Sequence, residues 1–136
     1  MPEIDPGAPC PCGSGRRYEQ CCQPCHDGSQ PAASPEALMR SRYCAYVLEL
    51  WRYLYNSWDP QTRPTRKSLA DSGGTDWQGL EIVATTGGCA LEEEGTVEFK
   101  AHWKNNDGSW QSLHERSRFR HHGGKWVYVD GEIFNQ

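Results

Sequence analysis

Two textures divide most of this chain. From Met39 to Leu54, apolar side chains (Met39, Tyr43, Tyr46, Val47, Leu50, Tyr53, Leu54) recur at three- and four-residue steps, the spacing that lines one face of a helix. Ser34, Pro35 and Glu36 supply a capping hydroxyl, a proline for the first turn and an early carboxylate, so the helix is predicted to begin there and run to about Ser57. Asp59-Pro60 and Arg63-Pro64 end it, and a shorter helix is predicted over about 65–71. Beyond Gly73-Gly74 the period changes to two, and four strands are predicted at about 78–86, 96–104, 110–121 and 125–130. Asn105-Asn106-Asp107-Gly108 and His122-Gly123-Gly124 are turn sequences that favour consecutive antiparallel hairpins. Val97, Phe99, Ala101 and Trp103 share one face of the second strand, opposite Glu98, Lys100 and His102, so one side of the sheet should pack on the helix. The elements describe an α+β roll, a long helix laid on an antiparallel sheet of about four strands.

Residues 1–30 fit neither texture. Their only apolar side chains besides cysteine are Met1, Ile4, Ala8 and Tyr18, and they carry five of the nine prolines, too little to bury a core. Five of the seven cysteines fall here, at Cys10, Cys12, Cys21, Cys22 and Cys25. An odd total, in a chain whose start lacks the basic and apolar regions of a signal peptide, argues for a reduced, cytoplasmic protein and against a disulfide framework. A structural Zn2+ can replace a core, because metal-ligand free energy couples directly to folding. Gly13-Ser14-Gly15 between Cys10-x-Cys12 and Cys21-Cys22 permits a tight reversal that brings the two thiol pairs to one tetrahedral ion. Cys25 and His26 are alternative donors, since Cys22 and Cys25 also form a C-x2-C pair; the reading adopted makes Cys25 a spare, partly exposed thiol and His26 a surface or supporting residue.

The order Cys-x-Cys-Gly-Ser-Gly-Arg ending in adjacent cysteines resembles the SEC-C motif, a short zinc knuckle, and Cys10, Cys12, Cys21 and Cys22 match its ligand positions. The resemblance extends further. Leu38 to Tyr43, Ala45 to Leu48, Trp58-Asp59-Pro60, Thr62-Arg63-Pro64, Gly95 to Phe99, His114 to Phe119 and Val129-Asp130-Gly131 are similar to the YchJ-like family of small bacterial proteins. That likeness implies a knuckle over residues 1–30 and, over 31–136, a domain resembling the nuclear transport factor 2 or cystatin-like cone, with its helix wrapped by a curved sheet. Asp59 stands at a Trp-x-Pro position where the family often has His.

Composition narrows the function. Fourteen Lys+Arg against eighteen Asp+Glu give a net charge of -4, so no global basic field draws the chain to nucleic acid or anionic lipid, and no apolar run is long enough to span a bilayer. A non-enzymatic adaptor is the leading expectation, with a protein partner contacted through Arg16, Arg17 and Tyr18 exposed beside the metal. The alternative is a small-molecule isomerase, dehydratase or hydrolase inside the cone, with Glu115 as base and Tyr43 or Tyr46 as hydrogen-bond donor. Glu115 falls on the apolar side of its strand with Leu113, Ser117 and Phe119, where an ion pair with Arg40 or Arg42 would hold it. His114, Arg116, Arg118 and Arg120 point the other way, a row that either grips phosphate, an acidic peptide or nucleic acid, or is simply solvated. Cys44 is expected to be small buried filler, Glu92-Glu93-Glu94 a solvated turn, and His102, His121 and His122 surface residues with no metal spacing.

Overall fold

The structure is a computed structural model that describes residues 4–71, 73–87 and 92–134; Cys89 lies outside them. The first segment forms a knuckle in which Pro9 and Arg17 bridge antiparallel, a 3-10 turn follows over Tyr18–Gln20, and a one-turn helix α1 spans Gln23–His26. Helix α2 (Pro35–Leu48) opens as its sequence dictates, with the Ser34 hydroxyl accepting from the Ala37 N–H at 3.1 Å. Helices α3 (Trp51–Asn56) and α4 (Arg66–Ala70) follow, the second capped by Thr65.

The single helix expected to run to Ser57 is broken. Glu49 takes a left-handed backbone (φ 57, ψ 45), ending α2, and the Leu50 N–H bonds back to the Ala45 carbonyl at 2.9 Å. Neither glycine nor proline marks the break, so the apolar period reads straight through it. Its consequence is packing: the redirected α3 buries Leu54 completely against Ala45 and Leu69, forming a small second core. The Glu49 carboxylate accepts from the Gly74 N–H at 3.1 Å, tying the break to the approach of the first strand.

Strands β1 (Asp76–Gly87), β2 (Glu94–Lys104), β3 (Trp110–His122) and β4 (Lys125–Ile133) form one antiparallel sheet in sequence order. Two register shifts in β1 and one between β3 and β4 supply the bends that let the sheet curve around α2. The inward row Val97, Phe99, Ala101, Ser117 and Phe119 meets Leu38, Met39, Tyr43, Cys44 and Leu48 of α2. Strand β4 runs three residues beyond the predicted end at Asp130. Gly131 continues the ladder opposite Ser117, and a Cβ there would overlap the Glu115 carboxylate, so glycine is what lets the two strands and that side chain share the space. Cys10, Cys12, Tyr18 and Cys22 belong to the same buried cluster as the helix and sheet residues, so knuckle and roll share one core.

Candidate metal centre

The knuckle is built by a short reversal. Gly13 and Gly15 adopt positive φ (77 and 86), the Cys10 N–H bonds the Arg16 carbonyl, and the Tyr18 N–H bonds the Ala8 carbonyl, both at 2.9 Å. This returns Cys21 and Cys22 to Cys10 and Cys12, and the four Sγ atoms all lie within 4.8 Å of one another. An ion about 2.3 Å from each of four sulfurs needs sulfur–sulfur separations of about 3.8 Å; Cys12 and Cys21 stand at 3.6 Å, Cys21 and Cys22 at 3.9 Å. The donor set therefore fits one metal ion. Cys10, Cys12 and Cys22 are buried and Cys21 is half-buried. Hydrogen bonds from Cys12, Cys22 and Cys44 hold the Cys10 thiol far below its usual range, whereas burial pushes Cys21 up to about 11. Four thiolates at this spacing would repel one another unless a cation lay among them. Cys44, expected as filler, is fully buried on α2 with its sulfur 4.0 Å from that of Cys10, against the thiol cluster.

Cys25 and His26 lie outside the cluster. His26 is half-buried and joins the knuckle to the roll: Nε2 faces the Ser41 carbonyl at 2.7 Å and Nδ1 faces the Tyr18 hydroxyl at 2.7 Å. A carbonyl only accepts, so the ring proton sits on Nε2 and Tyr18 donates to Nδ1. Ser41 in turn donates to the Leu38 carbonyl and accepts from the Tyr53 hydroxyl at 2.6 Å, which extends the network to α3. Burial lowers the His26 pKa, keeping the ring neutral. The network corrects one expectation: Tyr18 is only 6% exposed and does not stand open beside the thiol cluster, whereas Arg16 and Arg17 are exposed. A second tie comes from Arg40, which donates to the Cys12 carbonyl at 2.9 Å and to Glu36 at 3.0 Å.

The roll holds the other candidate residues. Glu115, Tyr43 and Tyr46 line one cavity of about 200 Å3 between α2 and the concave face of the sheet. The expected ion pair between Glu115 and Arg40 or Arg42 is not formed. Glu115 accepts from Ser117 at 2.6 Å and Tyr128 at 3.3 Å instead. Arg42, 3% exposed, donates to the Leu54 carbonyl at 2.9 Å and the Ser57 hydroxyl at 2.7 Å, with its guanidinium carbon 4.7 Å from the ring centroids of both Trp58 and Tyr128. Arg42 is thus held by the α3 turn and the two rings with no carboxylate at ion-pair distance, which the α2 periodicity gives no means to foresee; an arginine at 42 between Leu38 and Ala45 on the helix is the one sequence signal of a buried cation. Burial pushes Tyr43 up to about 12 and also raises Tyr46, so both phenols remain donors at neutral pH.

On the outer face, Arg118 is held by Asp130 with both bonds at 2.6 Å, and His114 meets Glu98 at 2.7 Å. Arg120 grips the buried Asp59 through two bonds, 2.5 and 3.0 Å, which hold that carboxyl down at about 2. Asp59 is thereby a structural anchor at the Trp-x-Pro turn, and the arginine row is largely neutralised by carboxylates. His102 stands 4.0 Å from Glu81, His121 stacks on Trp126, and His122 is exposed.

Comparison with known proteins gives this arrangement a lineage. Residues 8–24 match the SEC-C motif and residues 34–131 the family described as YchJ, middle NTF2-like domain. A UPF0225 protein of Streptomyces coelicolor is 48% identical over 130 residues, which cover 96% of this chain and 99% of that one. A UPF0225 protein of Deinococcus radiodurans is 46% identical over 125 residues, covering 92% and 89%. The solution structure of a SEC-C motif containing protein from Rhodopseudomonas palustris superposes with a TM-score of 0.84 at 37% identity, covering 94% of this chain and all 100% of that one. The crystal structure of a SEC-C motif containing protein from Psychrobacter arcticus gives 0.78 at 32%, covering 93% and 83%. No helix among the described residues is long and apolar enough to cross a membrane. With a four-cysteine knuckle, a curved four-stranded sheet around one helix, and a match running from the knuckle to Gly131, the chain belongs to the YchJ-like family of SEC-C proteins.

Proposed function

We propose that this protein is a non-enzymatic binding module of the cytoplasm, in which one structural Zn2+ on Cys10, Cys12, Cys21 and Cys22 stiffens a loop that contacts a protein partner. The observation that carries the reading is the buried four-thiol cluster fused to the main core. Four protein ligands close a tetrahedral shell and leave no position for water or substrate, so the metal supplies folding energy rather than chemistry. A site built from four thiolates suits a reducing compartment, where thiols stay free to hold metal. Arg16 and Arg17 are exposed on the loop that the ion would fix, and guanidinium groups held on a rigid backbone suit carboxylates of an acidic partner segment. Arg17 is only loosely engaged, 3.8 Å from Glu19.

The test is affinity capture from a bacterial lysate with the zinc-loaded chain and with an Arg16→Glu/Arg17→Glu variant that keeps its zinc, followed by affinity measurement on each captured protein. A partner whose affinity falls by about tenfold or more on charge reversal, about 1.4 kcal/mol, supports the reading. Equal affinity for both chains contradicts it.

A further inference from the structure

We propose that the cavity inside the roll is a binding site for a small organic carboxylate with an apolar body, its charge held at Arg42. Buried charges are normally paired with an opposite charge, because desolvation is costly and a carboxylate offsets it. Arg42 is 3% exposed, yet among the described residues no carboxylate lies within ion-pair distance of it, and its hydrogen bonds to Leu54 and Ser57 both leave from one nitrogen, Nη1. The Tyr46 hydroxyl oxygen takes a hydrogen bond from it, and Glu115 acts on it through space from beyond ion-pair distance.

A second, independent observation marks the same place. The indole Nε1 of Trp58 is buried and has no acceptor among the described residues. Trp58 is also the ring that stacks on Arg42, 4.7 Å from its guanidinium carbon. Guanidinium and phenol line the cavity as donors at neutral pH, with the unpartnered indole N–H buried beside them, so the side chains at this end are rich in hydrogen-bond donors and short of acceptors. A carboxylate is the small group that answers this, since it only accepts and would place a negative charge within ion-pair distance of Arg42. Tyr128 separates the donor end from Glu115, stacking on Arg42 with its ring and donating to Glu115 with its hydroxyl. Glu115 therefore faces the far end of the occupant, where it would accept from a hydroxyl. Met39, Phe99 and Leu113 supply apolar wall between the two ends. About 200 Å3 is the room of about seven waters, the size of a small carboxylic acid and too small for a nucleotide.

The test is ligand-observed NMR followed by calorimetry on the full zinc-loaded chain, with benzoate and 4-hydroxybenzoate as probes and benzamide and benzyl alcohol as uncharged controls. Both carboxylates are expected to bind about tenfold or more tightly than the controls, with 4-hydroxybenzoate ahead of benzoate and that lead lost in Glu115→Gln. Arg42→Met should erase the preference for charge. Should Arg42→Met fail to fold, two further variants keep the guanidinium in place: Tyr46→Phe should weaken the carboxylates alone, and Ala101→Leu, which fills the cavity from a wall position, should abolish binding of every probe. The proposal is overturned if neither carboxylate binds at about 10 mM, if carboxylates and uncharged controls bind alike, or if Ala101→Leu leaves binding unchanged.

Discussion

Tyr18→Phe isolates the latch between knuckle and roll. It removes one oxygen and keeps the ring, which packs 5.6 Å from the His26 ring. Because the Ser41 carbonyl claims the Nε2 proton, the Tyr18 hydroxyl is the donor that satisfies His26 Nδ1. The substitution therefore leaves a half-buried acceptor without a partner, at a cost of about 2 kcal/mol. With a urea slope of about 2 kcal/mol per M, the unfolding midpoint should fall by about 1 M, read by tryptophan fluorescence on the zinc-saturated protein. Metal content should not change, since Tyr18 is no ligand. A midpoint unchanged within error, or a nitrogen-detected NMR spectrum of His26 showing the proton on Nδ1, would mean that Tyr18 is not the donor to this ring.

Other expectations follow from the same contacts. Burial lowers the His26 pKa, so the unfolded chain takes up its proton first as pH falls through about 6.5; the stability due to neutral His26 is complete above that pH and declines below it, and a His26→Gln variant should show a flatter pH dependence between about 7.5 and 5.5. Asp59→Asn breaks the pair between buried Asp59 and part-exposed Arg120 and should cost about 2 kcal/mol by urea titration. With Asp59 held at about 2, that pair's contribution is complete above about pH 4 and lost only as pH drops toward 2. Cys12→Ser should lose the metal while Cys25→Ser retains it, checked by elemental analysis of the purified chains. Chelation should lower the thermal midpoint of the roll itself by about 10 °C, read from Trp126 and Trp77 emission, because Cys10, Cys12 and Cys22 share its core; an unmoved transition would mean that the knuckle is merely tethered.

What the sequence made legible were features carried by local chemistry. The four-cysteine spacing with its glycine turn, the Ser34 cap, the alternation in β2 and β3, and the inward placing of Glu115 with Ser117 and Phe119 all depend on neighbours within a few residues. The break at Glu49 does not, because tertiary burial of Leu54 rather than a local breaker pays for the left-handed residue. Tyr18 looked exposed because the knuckle lacks apolar partners of its own; its partners, His26 and the α2 side chains, become apparent only once the knuckle is folded onto α2. Glu115 and Arg42 share one cavity but are parted by Tyr128, a residue eighty-six positions from Arg42 in sequence, and no periodicity encodes that choice of partners. The end of β4 was hidden by Gly131, which reads as a turn residue and serves instead as the gap into which Glu115 fits.

Zinc-edge X-ray absorption on the protein as isolated reads the knuckle's ligand shell itself. One zinc per chain is expected, with four sulfur neighbours at about 2.3 Å and no nitrogen or oxygen bound to it. A shell containing nitrogen or oxygen, or a chain that folds with its native stability and no bound metal, would contradict it.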